Sequence, residues 1–143
     1  MVDFQCKNRY DWEDFLQIIK LLRSPGGCPW DAEQTHASIR RDFLEETYET
    51  LDAIDREDVP AMCEELGDML MQVVFHAQIE REAGRFTVDD VVHGITEKMV
   101  YRHPHVFGGG MEADTSEEVL VNWEILKRKE KDPKCGRSPY TPR

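Results

Sequence analysis

Residues 44–70, LEETYETLDAIDREDVPAMCEELGDML, constrain this chain more than any other stretch. Between Glu45 and Asp68 there are ten acidic residues and one basic residue, Arg56. Like charges three or four apart on a helix cost about 0.2–0.5 kcal/mol per pair, so the pattern needs a physical reason. Glu46 and Glu49 are three apart and share a helical face, as do Glu65 and Asp68. The midpoint of 49 and 65 is 57, and so is the midpoint of 46 and 68. Residue 57 lies in the turn-forming string REDVP, residues 56–60. In an antiparallel helix hairpin folded there, Glu49 stands level with Glu65 and Glu46 with Asp68. At about 1.5 Å per residue the four carboxylates lie roughly 12–17 Å from the turn. With helix axes about 8–10 Å apart, they converge on one small volume, with Glu45 beside them.

Converging anions repel one another and raise each other's pKa. Divalent cations remove that cost. Carboxylate oxygens suit Mg²⁺ or Mn²⁺, and two ions about 3.5–4 Å apart suit displacement at phosphorus. Spacing alone leaves other readings open. Each motif taken singly also fits an acidic, solvated helix face. A di-iron or di-manganese bundle would need Glu-x-x-His on two helices, and the chain offers one such string, Glu33 to His36, at a loop–helix junction.

The 143 residues are 40% hydrophobic and 33% charged, with 9 Gly and 7 Pro, which suits a helix-rich globular domain. The net charge is −11, a poor match to nucleic-acid polymers, whose phosphates call for Lys/Arg patches. From Asn122 onward seven Lys/Arg face three acids, a balance of +4, so the remainder carries −15. No apolar run approaches the roughly 18 residues of a membrane span. The opening MVDFQCKNRYDWEDF is too polar for a signal peptide, so the cytosol is the expected compartment. Cys6, Cys28, Cys63 and Cys135 form no C-x-x-C pair and are expected to be free thiols, with Cys63 buried in a helix.

Periodicity predicts an all-α bundle of about five helices around a central hairpin. DWEDFLQIIKLL, residues 11–22, places apolar residues on one helical face. Residues 23–34 read as a Pro/Gly loop. Thr35 is an N-cap for a helix to about Ile54, with Ile39, Phe43, Leu44, Tyr48, Leu51 and Ile54 expected inward. Asp58 caps a third helix, with Pro60 in its first turn, running to about Ala83 before Gly84. Its inward set is Met62, Leu66, Met69, Leu70, Val73 and Ala77. Thr87 with Asp90 opens a fourth helix to about Arg102. Residues 103–114 read as loop, and Thr115 with Glu118 opens a fifth helix. The domain is expected over 1–131, with 132–143 a mobile tail or the start of a linker. Methionines 62, 69, 71 and 99 read as packing residues, and His76 as a buried, hydrogen-bonded histidine.

The strings GGCPWDAEQTHASIRRDFLEETYETLDAID, EELGDMLMQVVFHAQI and EKMVYRHPHVFG resemble the MazG-type nucleoside triphosphate pyrophosphohydrolases, over about residues 10–130. The resemblance implies an all-α NTP pyrophosphatase fold, usually a homodimer or a dimer of dimers. It implies Mg²⁺-dependent hydrolysis of NTPs or dNTPs between the α- and β-phosphates, giving NMP and pyrophosphate. Carried over by position, Glu46, Glu49, Glu65 and Asp68 are metal ligands and Glu45 joins or adjoins them as part of the catalytic set. Lys98 and Arg102 match the family's phosphate contacts, and Trp30 and Trp123 are candidates for stacking on the base. His103 and His105 are read as loop anchors. Many members carry two such domains in tandem, so a single copy is either a one-domain form or the first half of a longer protein. The alternative to an enzyme is a non-catalytic acidic helical dimer serving as an interaction module.

Overall fold

The computed structural model describes residues 1–131, and it is all-helical, with no strand among them. None of these helices is long and apolar enough to cross a membrane. The chain divides into two compact units, Met1–Arg85 and a second beginning at Phe86. The first holds α1 (Trp12–Leu22), α2 (Pro29–Glu33), α3 (His36–Asp55) and α4 (Val59–Glu82). The second holds α5 (Val88–Arg102), α6 (Pro104–Phe107) and α7 (Ser116–Glu130). The expected tail and Cys135 lie outside the described residues.

Side-chain caps set the long helices where the sequence places them. Thr35 and Ser38 close a capping box on α3, and Thr87 and Asp90 close one on α5. Asp58 accepts from the Ala61 amide at 3.1 Å to start α4, with Pro60 in its first turn. Thr115 accepts from the Glu118 amide to start α7. Each such cap contributes about 1 kcal/mol. α4 ends at Glu82 with Ala83 as its C-cap, followed by Gly84 at φ +71, the left-handed step that commonly stops a helix.

The α3–α4 hairpin is the frame of the first unit. Its link is Arg56–Glu57–Asp58, with Glu57 at φ +52 and the Arg56 guanidinium bonded to Asp52 and Asp58 on either side. Small residues bring the two helices close. Ala53 is wholly buried, and the buried Thr50 hydroxyl donates to the Glu46 carbonyl at 2.7 Å and reaches the Glu65 carbonyl on α4 at 3.4 Å. Ile19 of α1, Ile39 of α3 and Val74, Phe75 and Ala77 of α4 are buried in the same unit.

Several expectations are corrected. Residues 23–34 and 103–114 are not continuous loops, because α2 and α6 form inside them. Each begins on a proline, whose fixed φ starts a turn without a side-chain cap. Cys63 and Met71 are exposed rather than packed. Leu44, Tyr48, Leu51 and Ile54 of α3, and Leu66, Leu70 and Val73 of α4, were expected inward and are exposed. The physical reason lies in the register. Leu44 pairs with Leu70 and Tyr48 with Leu66 about residue 57, so these residues line one side of the hairpin, and α1 packs on another part of α4. Periodicity identifies an apolar stripe but not what covers it.

Arg23 fastens the segment before α3. Its side chain is 8% exposed. It donates to the Asp31 and Gln34 carbonyls at 2.6 and 3.0 Å and to both Glu82 oxygens, and it lies 5.2 Å over the Phe75 ring. Arg23→Ala takes a donor from the Gln34 carbonyl, leaves the Asp31 carbonyl only the Gln34 amide at 3.3 Å, breaks the pair with Glu82, and should cost about 2–3 kcal/mol. Thermal melts should then fall on the order of 5–10 °C. Arg23→Lys should not restore the loss, since an ammonium cannot span these acceptors as a planar fork does.

Candidate functional site

The hairpin brings the carboxylates together. Glu46 and Glu49 of α3 and Glu65 of α4 each present an oxygen within 4.8 Å of the others. Asp68, half-buried one turn along α4, acts on both half-buried members: its charge raises the pKa of Glu46 and of Glu65. Glu45 stands outside the group, exposed and paired with Arg41 at 3.1 Å.

The electrostatic cost of the arrangement is visible in the acids themselves. Burial, then the charges of Asp68, Glu49 and Glu65, push the Glu46 carboxyl up to about 7. Burial, then Glu49 and Asp68, raise Glu65 as well. One oxygen of each, Glu46 Oε2 and Glu65 Oε2, is buried without a hydrogen-bond partner. Buried carboxylate oxygens normally have donors. Oxygen-only donors, anionic charge and two orphaned acceptors fit a hard divalent cation such as Mg²⁺ or Mn²⁺.

A cavity of about 310 Å³ opens beside this group, within the first unit. Ile19 and Leu22 of α1, Ile39 of α3 and Phe75 of α4 form its apolar walls, and Trp30 of α2 and Met71 of α4 border it. Its polar wall is Asp31, Asp42, Gln72 and Glu46. Glu46 therefore belongs to both the carboxylate group and the cavity. Asp42 and Gln72 were not singled out from the sequence. The signal was present: Asp42 is four residues before Glu46, Gln72 is four after Asp68, and the midpoint of 42 and 72 is again 57.

The remaining candidates lie in the second unit. Arg102 makes two hydrogen bonds to Glu130, at 3.2 and 2.8 Å, and its guanidinium lies 5.7 Å from the Trp123 ring centroid. Trp123 also meets His103 edge-on at 5.3 Å. The His103 Nδ1–H donates to the Met99 carbonyl at 2.6 Å, tying α6 back to α5. Lys98 is half-buried on α5. His76 sits in a polar chain of the first unit: its Nδ1 is 2.6 Å from His36 Nδ1, and His36 Nε2 is 2.6 Å from Glu80. Hydrogen bonds from Arg85, then His36, hold the Glu80 carboxyl at about 2.

Residues 34–107 match the family model described as the MazG nucleotide pyrophosphohydrolase domain. This chain belongs to the MazG family. Over 86% of its length it is 48% identical to the nucleoside triphosphate pyrophosphohydrolase/pyrophosphatase MazG of Thermotoga maritima and 51% identical to the nucleoside triphosphate pyrophosphohydrolase of Escherichia coli K12. It spans 46% and 47% of those two proteins. It is 52% identical to the protein YabN of Bacillus subtilis over the same share, covering 25% of that longer protein. The crystal structure of a MazG-related protein from Thermotoga maritima matches at a TM-score of 0.66 and 26% identity, covering 81% of this chain and 98% of that one. The chain's all-α architecture is that of the matched structure.

The raised acids generate a signed pH effect. Glu46 holds its proton more tightly when folded, so its penalty is absent below about 4.5, grows as pH rises towards about 7 and is complete above that. In cation-free buffer, wild type should lose thermal stability relative to Glu46→Gln across that window. Added Mg²⁺ or Mn²⁺ should raise the wild-type melting temperature by several degrees at pH 8 and leave Glu46→Gln nearly unmoved. Parallel melts of the two proteins at each pH, with and without cation, measure both effects.

Proposed function

We propose that this domain hydrolyses nucleoside triphosphates, ribo- or deoxyribo-, between the α- and β-phosphates, releasing NMP and pyrophosphate as nucleotide-pool housekeeping in the cytosol. The observation that carries this reading is Glu46, which serves the carboxylate group on one side and the cavity on the other. A substrate with an anionic chain at one end and a flat, partly apolar ring at the other fits that juxtaposition. Relatives named as nucleoside triphosphate pyrophosphohydrolases support the choice of substrate class.

Glu46, Glu49, Glu65 and Asp68 would hold Mg²⁺, with Mn²⁺ as a substitute, and Glu45 would adjoin them. A bound divalent ion supplies neutralisation of phosphate charge and a lowered pKa for water. By holding the cation, these carboxylates would set where the phosphates lie. Water oxygen bonds to the α-phosphorus, the bond from it to the bridging oxygen breaks, pyrophosphate departs with that oxygen, and the water's proton passes to solvent. Lys98 and Arg102 are assigned to the phosphates, with Arg102 exchanging Glu130 for substrate oxygens. Trp30 is assigned to one face of the base and Trp123 to the nucleotide. On this reading residues 1–131 act as one catalytic domain.

The same proposal includes self-association. Leu44, Tyr48 and Leu51 of α3 and Leu66, Leu70 and Val73 of α4 are all exposed, and contiguous exposed apolar surface marks sites of association. A second copy seated on it would give a homodimer, or a dimer of dimers. Sedimentation equilibrium should show a dimer at micromolar concentration, and a Leu51→Glu, Leu66→Glu double variant should sediment as monomer.

Product analysis with each common NTP and dNTP tests the activity. NMP and pyrophosphate are the expected pair, and NDP with phosphate would place cleavage at the wrong bond. Glu49→Gln and Asp68→Asn should each lower kcat by about 10³-fold or more with helicity unchanged, by analogy with removal of a principal charge-stabilising group. Near-normal kcat in both would overturn the ligand assignment. A folded protein without turnover would favour the interaction-module alternative.

A further inference from the structure

One polar atom in the cavity is explained neither by the carboxylate group nor by the fold. Gln72 is 5% exposed, and its Oε1 is buried with no hydrogen-bond partner. A buried amide without a partner costs stability, and most such atoms in native proteins are satisfied. Gln72 lines the cavity, and across the hairpin register Asp42 lines it too. Both stand one helical turn beyond the carboxylates, about 5–6 Å further from the hairpin turn. Ile39 and Phe75 line the same cavity and supply apolar surface.

We infer that Gln72 and Asp42 read the nucleobase, selecting bases that carry an exocyclic amino group on the edge they face. The inference rests on the proposed nucleotide substrate. An amino group has two N–H donors, one for Gln72 Oε1 and one for the Asp42 carboxylate. A carbonyl at the same place offers only lone pairs. The glutamine amide can turn its NH₂ towards that carbonyl, but a carboxylate has no donor to offer, so an acceptor–acceptor clash with Asp42 remains. Cytosine is thereby preferred over uracil, and adenine over hypoxanthine. A site built to hydrogen-bond a group rejects the analogue lacking it, because its own polar atoms stay unpaired.

The test compares bases in which the amino group and the bare ring nitrogen beside it are replaced by a carbonyl and a ring N–H. Wild type should show kcat/KM for CTP at least about tenfold above that for UTP, and ATP likewise above ITP, the loss of one good hydrogen bond to a charged group. Asp42→Asn, whose amide can offer either a donor or an acceptor, should bring both ratios to within about twofold. Gln72→Leu should lower kcat/KM for CTP and ATP several-fold, since the amino group loses an acceptor, while its melting temperature holds or rises, since an orphaned amide has been removed. Gln72→Glu, an acceptor that cannot flip into a donor, should keep or widen the ratios. Equilibrium binding of CMP against UMP, with each protein, reads discrimination without turnover. Hydrolysis with ratios unchanged in Asp42→Asn overturns the inference and leaves the hydrolase reading standing. Binding discrimination that is lost in Asp42→Asn, in a protein that hydrolyses nothing, supports the inference and overturns the hydrolase reading. A melting temperature that drops in Gln72→Leu with kcat/KM intact assigns Gln72 to the core and overturns the inference.

Discussion

Mutual repulsion among Glu46, Glu49 and Glu65 is the cost around which the first unit is arranged. Three carboxylates with oxygens inside 4.8 Å of one another separate unless their helices are held by something stronger. The close approach at Thr50 and Ala53 does this, since a buried threonine and a fully buried alanine let α3 and α4 pack tightly beside the cluster. The hairpin link adds a second restraint, with Arg56 neutralising Asp52 and Asp58 at the end where no cation is expected. Two of the acids near the turn, Asp52 and Asp58, thus have a partner within the chain. Those further along it are left for an external partner.

The cavity depends on the same frame in a different way. Two of its walls belong to α3 and α4, and the others come from α1 and α2. Arg23 holds this second pair of walls in place by satisfying the carbonyls of Asp31 and Gln34 and gripping Glu82 on α4. Trp30, itself exposed, is positioned by the backbone that Arg23 fixes rather than by burial of its ring. A residue far from the acids in sequence therefore governs the shape of the space beside them.

Much of this was legible in the sequence, because the information was local. Thr35, Asp58, Thr87 and Thr115 each mark a helix start through a side chain bonding an amide three residues on. The convergence of Glu46, Glu49 and Glu65 followed from symmetry about one turn. Other features were illegible for equally physical reasons. α2 and α6 have five and four residues, too few for a periodic signal. The apolar residues Leu44, Tyr48 and Leu66 sit at helical spacing, but spacing carries no record of which neighbour covers them. Gln72 escaped notice because a lone glutamine has no motif, and its meaning came only from Asp42 and the cavity around it.

The mirrored register about residue 57 has a further consequence, for how such a domain can diverge. Successive turns of the hairpin carry successive parts of the proposed ligand: the acids for the phosphates, then Asp42 with Gln72 for the base. The two turns share a backbone but no side chain except Glu46. Substitution at the outer turn can retune what is recognised without disturbing the anionic rung below it. An insertion of one residue within either helix would instead rotate everything beyond it by about 100° and scramble both rungs together. The hairpin is thus permissive to exchange at single positions and intolerant of changes in length, a graduated scale whose marks can be relabelled but not respaced.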